Sequence, residues 1–253
     1  MRADRRAATV LALVLGVAGC DVMYGPTAPS AEWSARESSH YVLHAKPGSF
    51  AEANAAALLE VLEQQYLHTS GQLGLGDGPR IAMFLYERGD ALDPPLPNAR
   101  AGVAFPDTNA VHAVAFAPLD NDLRALLAHE ANHVIIQNGL GRAGTAMMNE
   151  GLASALVTEA FGPIGKTSLY QWTRANRARL PRIADLIDDG KWDSNSEAGY
   201  KASASFLAFL LDRYGATALR RLYYALPAAF PSRAAEVYGR PLEALEAEWL
   251  GAI

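Results

Sequence analysis

From Phe50 to about Thr69 apolar residues recur at three- and four-residue intervals among Ala, Glu and Gln, and Gly71 closes the run; the pattern predicts a helix with one buried face. His40 to Ala45 ahead of it reads as a first strand. Behind it, Arg80 to Glu87 is a short apolar run bounded by Gly78-Pro79 and Gly89, a length and setting that suit a buried strand better than a helix. The prolines between Asp93 and Asn98 demand a loop, after which Gly102–Phe105 and Ala110–Ala117 form a hairpin about Pro106-Asp107-Thr108-Asn109. From Asp120 onward the periodicity is helical: one helix from the Asp120–Asp122 caps to Gly139, and others near Thr145–Phe161, Glu197–Tyr214, Ala216–Leu226 and Leu242–Leu250. Strands with one helix first, and helices afterwards, predict an α+β fold: a small N-terminal β-sheet with a helix, then a mainly helical half.

The chain has 253 residues, half of them apolar, which fits one globular domain, and its formal net charge is -5. Beyond the first few residues no run of Lys or Arg offers a footprint for a phosphate backbone, so nucleic acid is not an expected partner. The first residues differ from the rest. Arg2, Arg5 and Arg6 precede an apolar stretch, Ala7 to Ala18, that falls short of the roughly 20 residues needed to span a bilayer. Val17-Ala18-Gly19-Cys20 closes it and resembles the lipobox of bacterial lipoproteins; ordinary cleavage near Gly19 is the alternative. The expected organisation is a lipoprotein-type signal peptide over 1–19, lipid attachment at Cys20, a tether over 20–38 carrying Gly25, Pro26 and Pro29, and a folded domain over 39–253. The expected location is the bacterial cell envelope, held to a membrane by the lipid. Cys20 is the only cysteine, so the domain has no intrachain disulfide.

The chemistry sits in Leu127-Ala128-His129-Glu130-Ala131-Asn132-His133-Val134, which contains H-E-x-x-H inside a predicted helix. At about 100° per residue, His129 and His133 lie one turn apart and nearly in line, so both imidazoles can meet one metal ion. Glu130 points further round, close enough to exchange a proton with water beside that ion without joining it as a ligand. The histidines fall at the border of the apolar stripe Leu123, Leu127, Val134, as on the floor of a cleft. Two helix histidines satisfied by local structure are the plainer alternative.

A catalytic zinc takes three protein ligands and keeps one open position, so a third ligand is expected nearby. Met147-Met148-Asn149-Glu150-Gly151-Leu152-Ala153 opens the next helix after a turn through Gly139, Gly141 and Gly144. Small residues at Gly151 and Ala155 allow a close approach that lets Glu150 reach the metal; otherwise Glu150 is a surface acid near a helix N-terminus.

H-E-x-x-H followed at this distance by Asn-Glu-Gly-x-Ala resembles the gluzincin clan of zinc metallopeptidases, especially its bacterial peptidase-MA-like branch. The likeness runs over roughly residues 40 to 225. It is strong from His129 to Ala153 and looser across Phe50–Glu87 and from Ala198-Gly199-Tyr200 through Ser205-Phe206 to Tyr214-Gly215. It implies a zincin-like helical half, a Zn²⁺ cofactor on His129, His133 and Glu150, Glu130 as general base, and a peptide or protein substrate that pairs with the edge strand of the sheet, for which Ala110–Ala117 is the candidate. It also implies a Tyr or His beside the developing oxyanion: Tyr200 first, against a plain core tyrosine, and His112 second, against a strand histidine that satisfies local structure.

Two features depart from the clan. No Gly-x-Met-Glu-Asn motif occurs between Arg80 and Asp120, which argues against an aminopeptidase. Where thermolysin-like enzymes carry an Asp that orients a ligand histidine, this chain has Ser154, leaving Asn149 and Asp185 as substitutes. His40, His44 and His68 are expected in surface or capping roles. The competing reading is an inactive zinc-site envelope lipoprotein that acts as a protein-binding or assembly component; hydrolysis of a cell-wall amide uses the same chemistry as proteolysis.

Overall fold

The computed structural model of the chain describes residues 33–88, 102–161, 165–192 and 196–253; the expected signal segment, Cys20 and the proline loop 93–98 lie outside them. Five strands form one sheet in the order β1-β2-β3-β5-β4: β1 (Ser34–Glu37), β2 (Tyr41–Ala45), β3 (Ile81–Tyr86), β4 (Gly102–Phe105) and β5 (Ala110–Val114). β2, β3 and β5 run parallel, and β1 and β4 pair antiparallel at the two ends. The parallel step from β2 to β3 is made by α1 (Phe50–Ala53) and α2 (Ala55–Leu73), the one helix of the sequence reading divided at Asn54.

Strand alternation sorts the side chains. Leu43, Met83, Leu85, Val111 and Ala113 face α2 and the long helix α3 (Asn121–Leu140), joining Leu58, Leu62, Leu126, Leu127 and Val134 in one core. Phe84, Tyr86, Ala110 and Val114 form a second cluster on the opposite face, with Trp33 and Phe105 against it. β1 falls inside the stretch expected to be tether. Three of its four residues are exposed, so its pairing, with Ser34 opposite Ala45, and not an apolar pattern, makes it a strand. β5 lies between β3 and β4 with all five residues buried, so among the described residues the sheet edge beside α3 is β4 and not the expected Ala110–Ala117.

The helical half comprises α4 (Ala146–Ala155), α5 (Lys166–Asn176), the short α6 (Ile183–Leu186) and α7 (Asp189–Trp192), α8 (Ser196–Tyr223), α9 (Phe230–Tyr238) and α10 (Leu242–Ala252). α8 breaks at Gly215, φ 81°, where the sequence placed the end of one helix and the start of the next. α4 packs closely on α8: a Cβ on Gly151 would lie 2.8 Å from the Cβ of Ser203 and 2.9 Å from Leu207 Cδ1. α3 is buried without interruption from Ala125 to Ile136. It has no solvent-facing border along that length, because the sheet takes one side while Val61, Val157 and Phe161 close on Ala125 and Ala128. No helix among the described residues is long and apolar enough to cross a membrane.

Candidate metal centre

Asp120 starts α3 by accepting a hydrogen bond from the Leu123 backbone N–H at 3.0 Å, and the helical repeat then sets His129 and His133 one turn apart on one side. Thr145 caps α4 in the same way through the Met148 N–H. The two helices bring three side chains together. His129 Nε2 and His133 Nε2 are 3.1 Å apart, and Glu150 Oε2 is 3.4 Å from the first and 3.3 Å from the second. All three residues are buried.

That spacing suits a metal ion. An ion bound tetrahedrally at ~2.0–2.1 Å from each ligand atom spaces those atoms roughly 3.3–3.4 Å apart. Glu150 Oε2 is also buried without a hydrogen-bond donor, a costly state for a carboxylate that a cation at the meeting point of the three atoms relieves. The set of two imidazoles and one carboxylate suits zinc. Asn149 Nδ2 donates to Glu150 Oε1 at 2.8 Å, which turns the other oxygen toward the imidazoles.

The field of the site favours a cation. Burial works against charge on Glu150, yet His133 and His129 beside it hold its carboxyl well below the ordinary carboxylate range. Burial likewise opposes the imidazolium of His133, but the Glu150 carboxylate outweighs it and lifts that group to about 9. Glu130 differs: burial raises its pKa, the two histidines oppose that, and Glu150 adds to it. The backbone of β4 lies directly over Glu130, since a Cβ on Gly102 would sit 2.6 Å from its Cγ and 3.1 Å from its Oε1.

Other candidates fall elsewhere. His112 is on the face of β5 away from α3, its Nδ1 2.9 Å from the Tyr86 hydroxyl and its ring stacked on Phe84 at 4.6 Å; burial brings its pKa down to about 4. Val111 and Ala113 face α3, so alternation turns His112 outward, and it leaves the oxyanion candidates. Asp185 is on α6, bonded to Lys191 Nζ at 2.8 Å, and does not support a ligand. The support comes from Ser154, whose Oγ is 3.1 Å from His129 Nδ1. The sequence pointed to that position, one turn past Glu150, but only as the absence of an Asp. Tyr200 packs its ring against Trp192, centroids 5.0 Å apart, on the stripe of α8 that continues through Ser203 and Leu207 to meet Gly151. His40 is held by Glu63 at 2.6 Å, and His44 stacks on Phe84.

No match to the chain was found among curated proteins. Residues 61–198 match the model of a family described as predicted Zn-dependent protease (DUF2268). The match covers more than half of the chain and includes His129, Glu130, His133 and Glu150, and the protein therefore belongs to that family of predicted zinc-dependent proteases.

Proposed function

We propose that this protein hydrolyses peptide bonds as a gluzincin-type metallopeptidase, with zinc held by His129, His133 and Glu150, and that a lipid on Cys20 keeps it at a membrane of the bacterial envelope. The observation that carries the reading is the convergence of two imidazole nitrogens and an otherwise unpartnered carboxylate oxygen one residue away from the buried Glu130. When bound, zinc supplies Lewis acidity toward the scissile carbonyl and toward water. Glu130 takes the proton of the attacking water and passes it to the nitrogen of the departing amine. A carboxyl raised by burial is better matched to both halves of that transfer than an exposed one.

Among the described residues β4 is the last strand of the sheet on the α3 side, so an extended peptide added along its outer edge runs past Gly102 and Glu130. Tyr200, on the stripe of α8 that packs against α4, is the candidate donor to the developing oxyanion. The tether rests on the sequence Val17-Ala18-Gly19-Cys20 alone.

The test is turnover of a broad peptide library by the purified chain, with metal content measured in parallel. Glu130→Gln is expected to keep its zinc and lose at least about 100-fold in rate, whereas Glu150→Ala, left with two ligands, binds zinc too weakly to retain it through purification. Unchanged turnover in Glu130→Gln removes that residue from the mechanism. A zinc-loaded wild type inert toward every peptide overturns the peptidase reading.

A further inference from the structure

On another side of α3, Asn132 occupies the second variable position of H-E-x-x-H and is fully buried, as are Gln65 and Thr69 of α2. Its Oδ1 accepts from Thr69 Oγ1 at 2.6 Å and from Gln65 Nε2 at 3.0 Å, while its Nδ2 donates to the Ala153 carbonyl at 2.7 Å. Gln65 Nε2 also reaches the Leu156 carbonyl at 2.7 Å, and its Oε1 accepts from the Thr158 N–H at 3.2 Å. Ala153 and Leu156 belong to the C-terminal end of α4, where carbonyls have no partner further along the helix. That end is buried, and the sequence Ala155-Leu156-Val157-Thr158 offers no glycine to cap it. Side-chain amides from α3 and α2 do so instead.

We infer that Asn132 is the positioning residue for the third ligand: by gripping the Ala153 carbonyl it fixes how α4 sits along α3, and so holds Glu150 on His129 and His133. This rests on the zinc reading given above. Ala153 lies one turn beyond Glu150, and Asn132 adjoins His133, so the clamp and the ligands join the same two helices within one turn. The close packing of Gly151 is against Ser203 and Leu207 of α8 and does not set where α4 sits along α3, and apolar contacts alone let one helix slide on another with little change in energy. Directional hydrogen bonds among buried groups do not, since each displaced donor or acceptor is left unsatisfied.

The test uses the purified full chain with zinc affinity read by competition with a chromophoric chelator, and the thermal midpoint of the metal-free protein read alongside. Asn132→Ala is expected to weaken zinc binding by about 10- to 100-fold, the range seen when support for a ligand is removed. Because it acts through Glu150, the double variant Asn132→Ala/Glu150→Ala should bind no more than about two-fold more weakly than Glu150→Ala alone. Leu58→Ala, which empties part of the α2–sheet core, should lower the midpoint and keep wild-type affinity. Wild-type affinity in Asn132→Ala, or losses that multiply in the double variant, overturn the inference. If Asn132→Ala does not fold, Thr69→Val removes one donor to Oδ1 at nearly constant shape and is judged by the same affinity criterion. Zinc lost in Glu150→Ala but retained in Asn132→Ala sinks the clamp only, whereas a wild type that binds no zinc sinks the zinc reading with it.

Discussion

Ser154 Oγ lies 3.1 Å from Nδ1 of His129, the ring nitrogen opposite the one that faces Glu150. A hydroxyl that accepts from Nδ1–H fixes the neutral tautomer with a free Nε2, the form a metal requires. Ser154→Ala removes that acceptor and lets the ring turn, so zinc affinity is expected to fall about 10-fold with little change in fold. Chelator competition checks it; equal affinity in the variant means that packing alone orients His129.

Gly102 and Glu130 are in such close approach that a methyl group at residue 102 must displace the carboxylate or the strand. Gly102→Ala is expected to lower kcat by about 10- to 100-fold through misplacement of the base, with metal content unchanged. Turnover and zinc stoichiometry of one preparation decide it. A full rate would show that β4 yields by a few tenths of an ångström.

Local signals in the chain carried much of this architecture, and long-range ones did not. The periodicity of Phe50–Thr69, the bounded run at β3, the turn at Pro106–Asn109 and the break at Gly215 are each set by neighbours in sequence, and all were legible. β1 was not, because a polar edge strand is defined by its partner. Nor was the order β3-β5-β4: two adjacent apolar runs look alike until the crossover decides which is inserted. At the site, spacing brought out His129, His133 and Glu150, but the same spacing left Asn132 anonymous. Two of its partners lie 63 and 67 residues back in the chain and the third 21 residues ahead, distances at which a single sequence gives no phase information. His112, only the second oxyanion candidate because a strand histidine more often satisfies local structure, does so here against Tyr86 and Phe84.

Tyr200 shares a face of α8 with Ser203 and Leu207, the residues that meet Gly151 next to the third ligand. Under the proposed mechanism Tyr200 donates to the oxyanion in the transition state, so Tyr200→Phe is expected to reduce kcat by about 100-fold with KM and zinc affinity near wild type. Peptide kinetics separate this from a packing role, for which the variant would keep its kcat and shift only its thermal midpoint.

His112 gives the fold a pH dependence of its own. Burial among Phe84, Phe105 and Tyr86 takes its pKa from 6.5 to about 4, so the unfolded chain binds the proton more readily than the folded one. Stability from the neutral ring is therefore complete above about pH 6.5 and drains away as pH falls toward 4. Between pH 7 and 4.5 the wild type should lose roughly 2 kcal/mol more than His112→Phe, in which nothing titrates at that position. His44 and His68, whose pKa values burial also lowers, are present in both proteins and cancel in the difference. The loss of the Tyr86 hydrogen bond lowers the variant's stability by a similar amount at every pH and leaves the slope untouched. Urea unfolding at the two pH values measures it, and an equal drop in both proteins would assign the acid sensitivity to carboxylates instead.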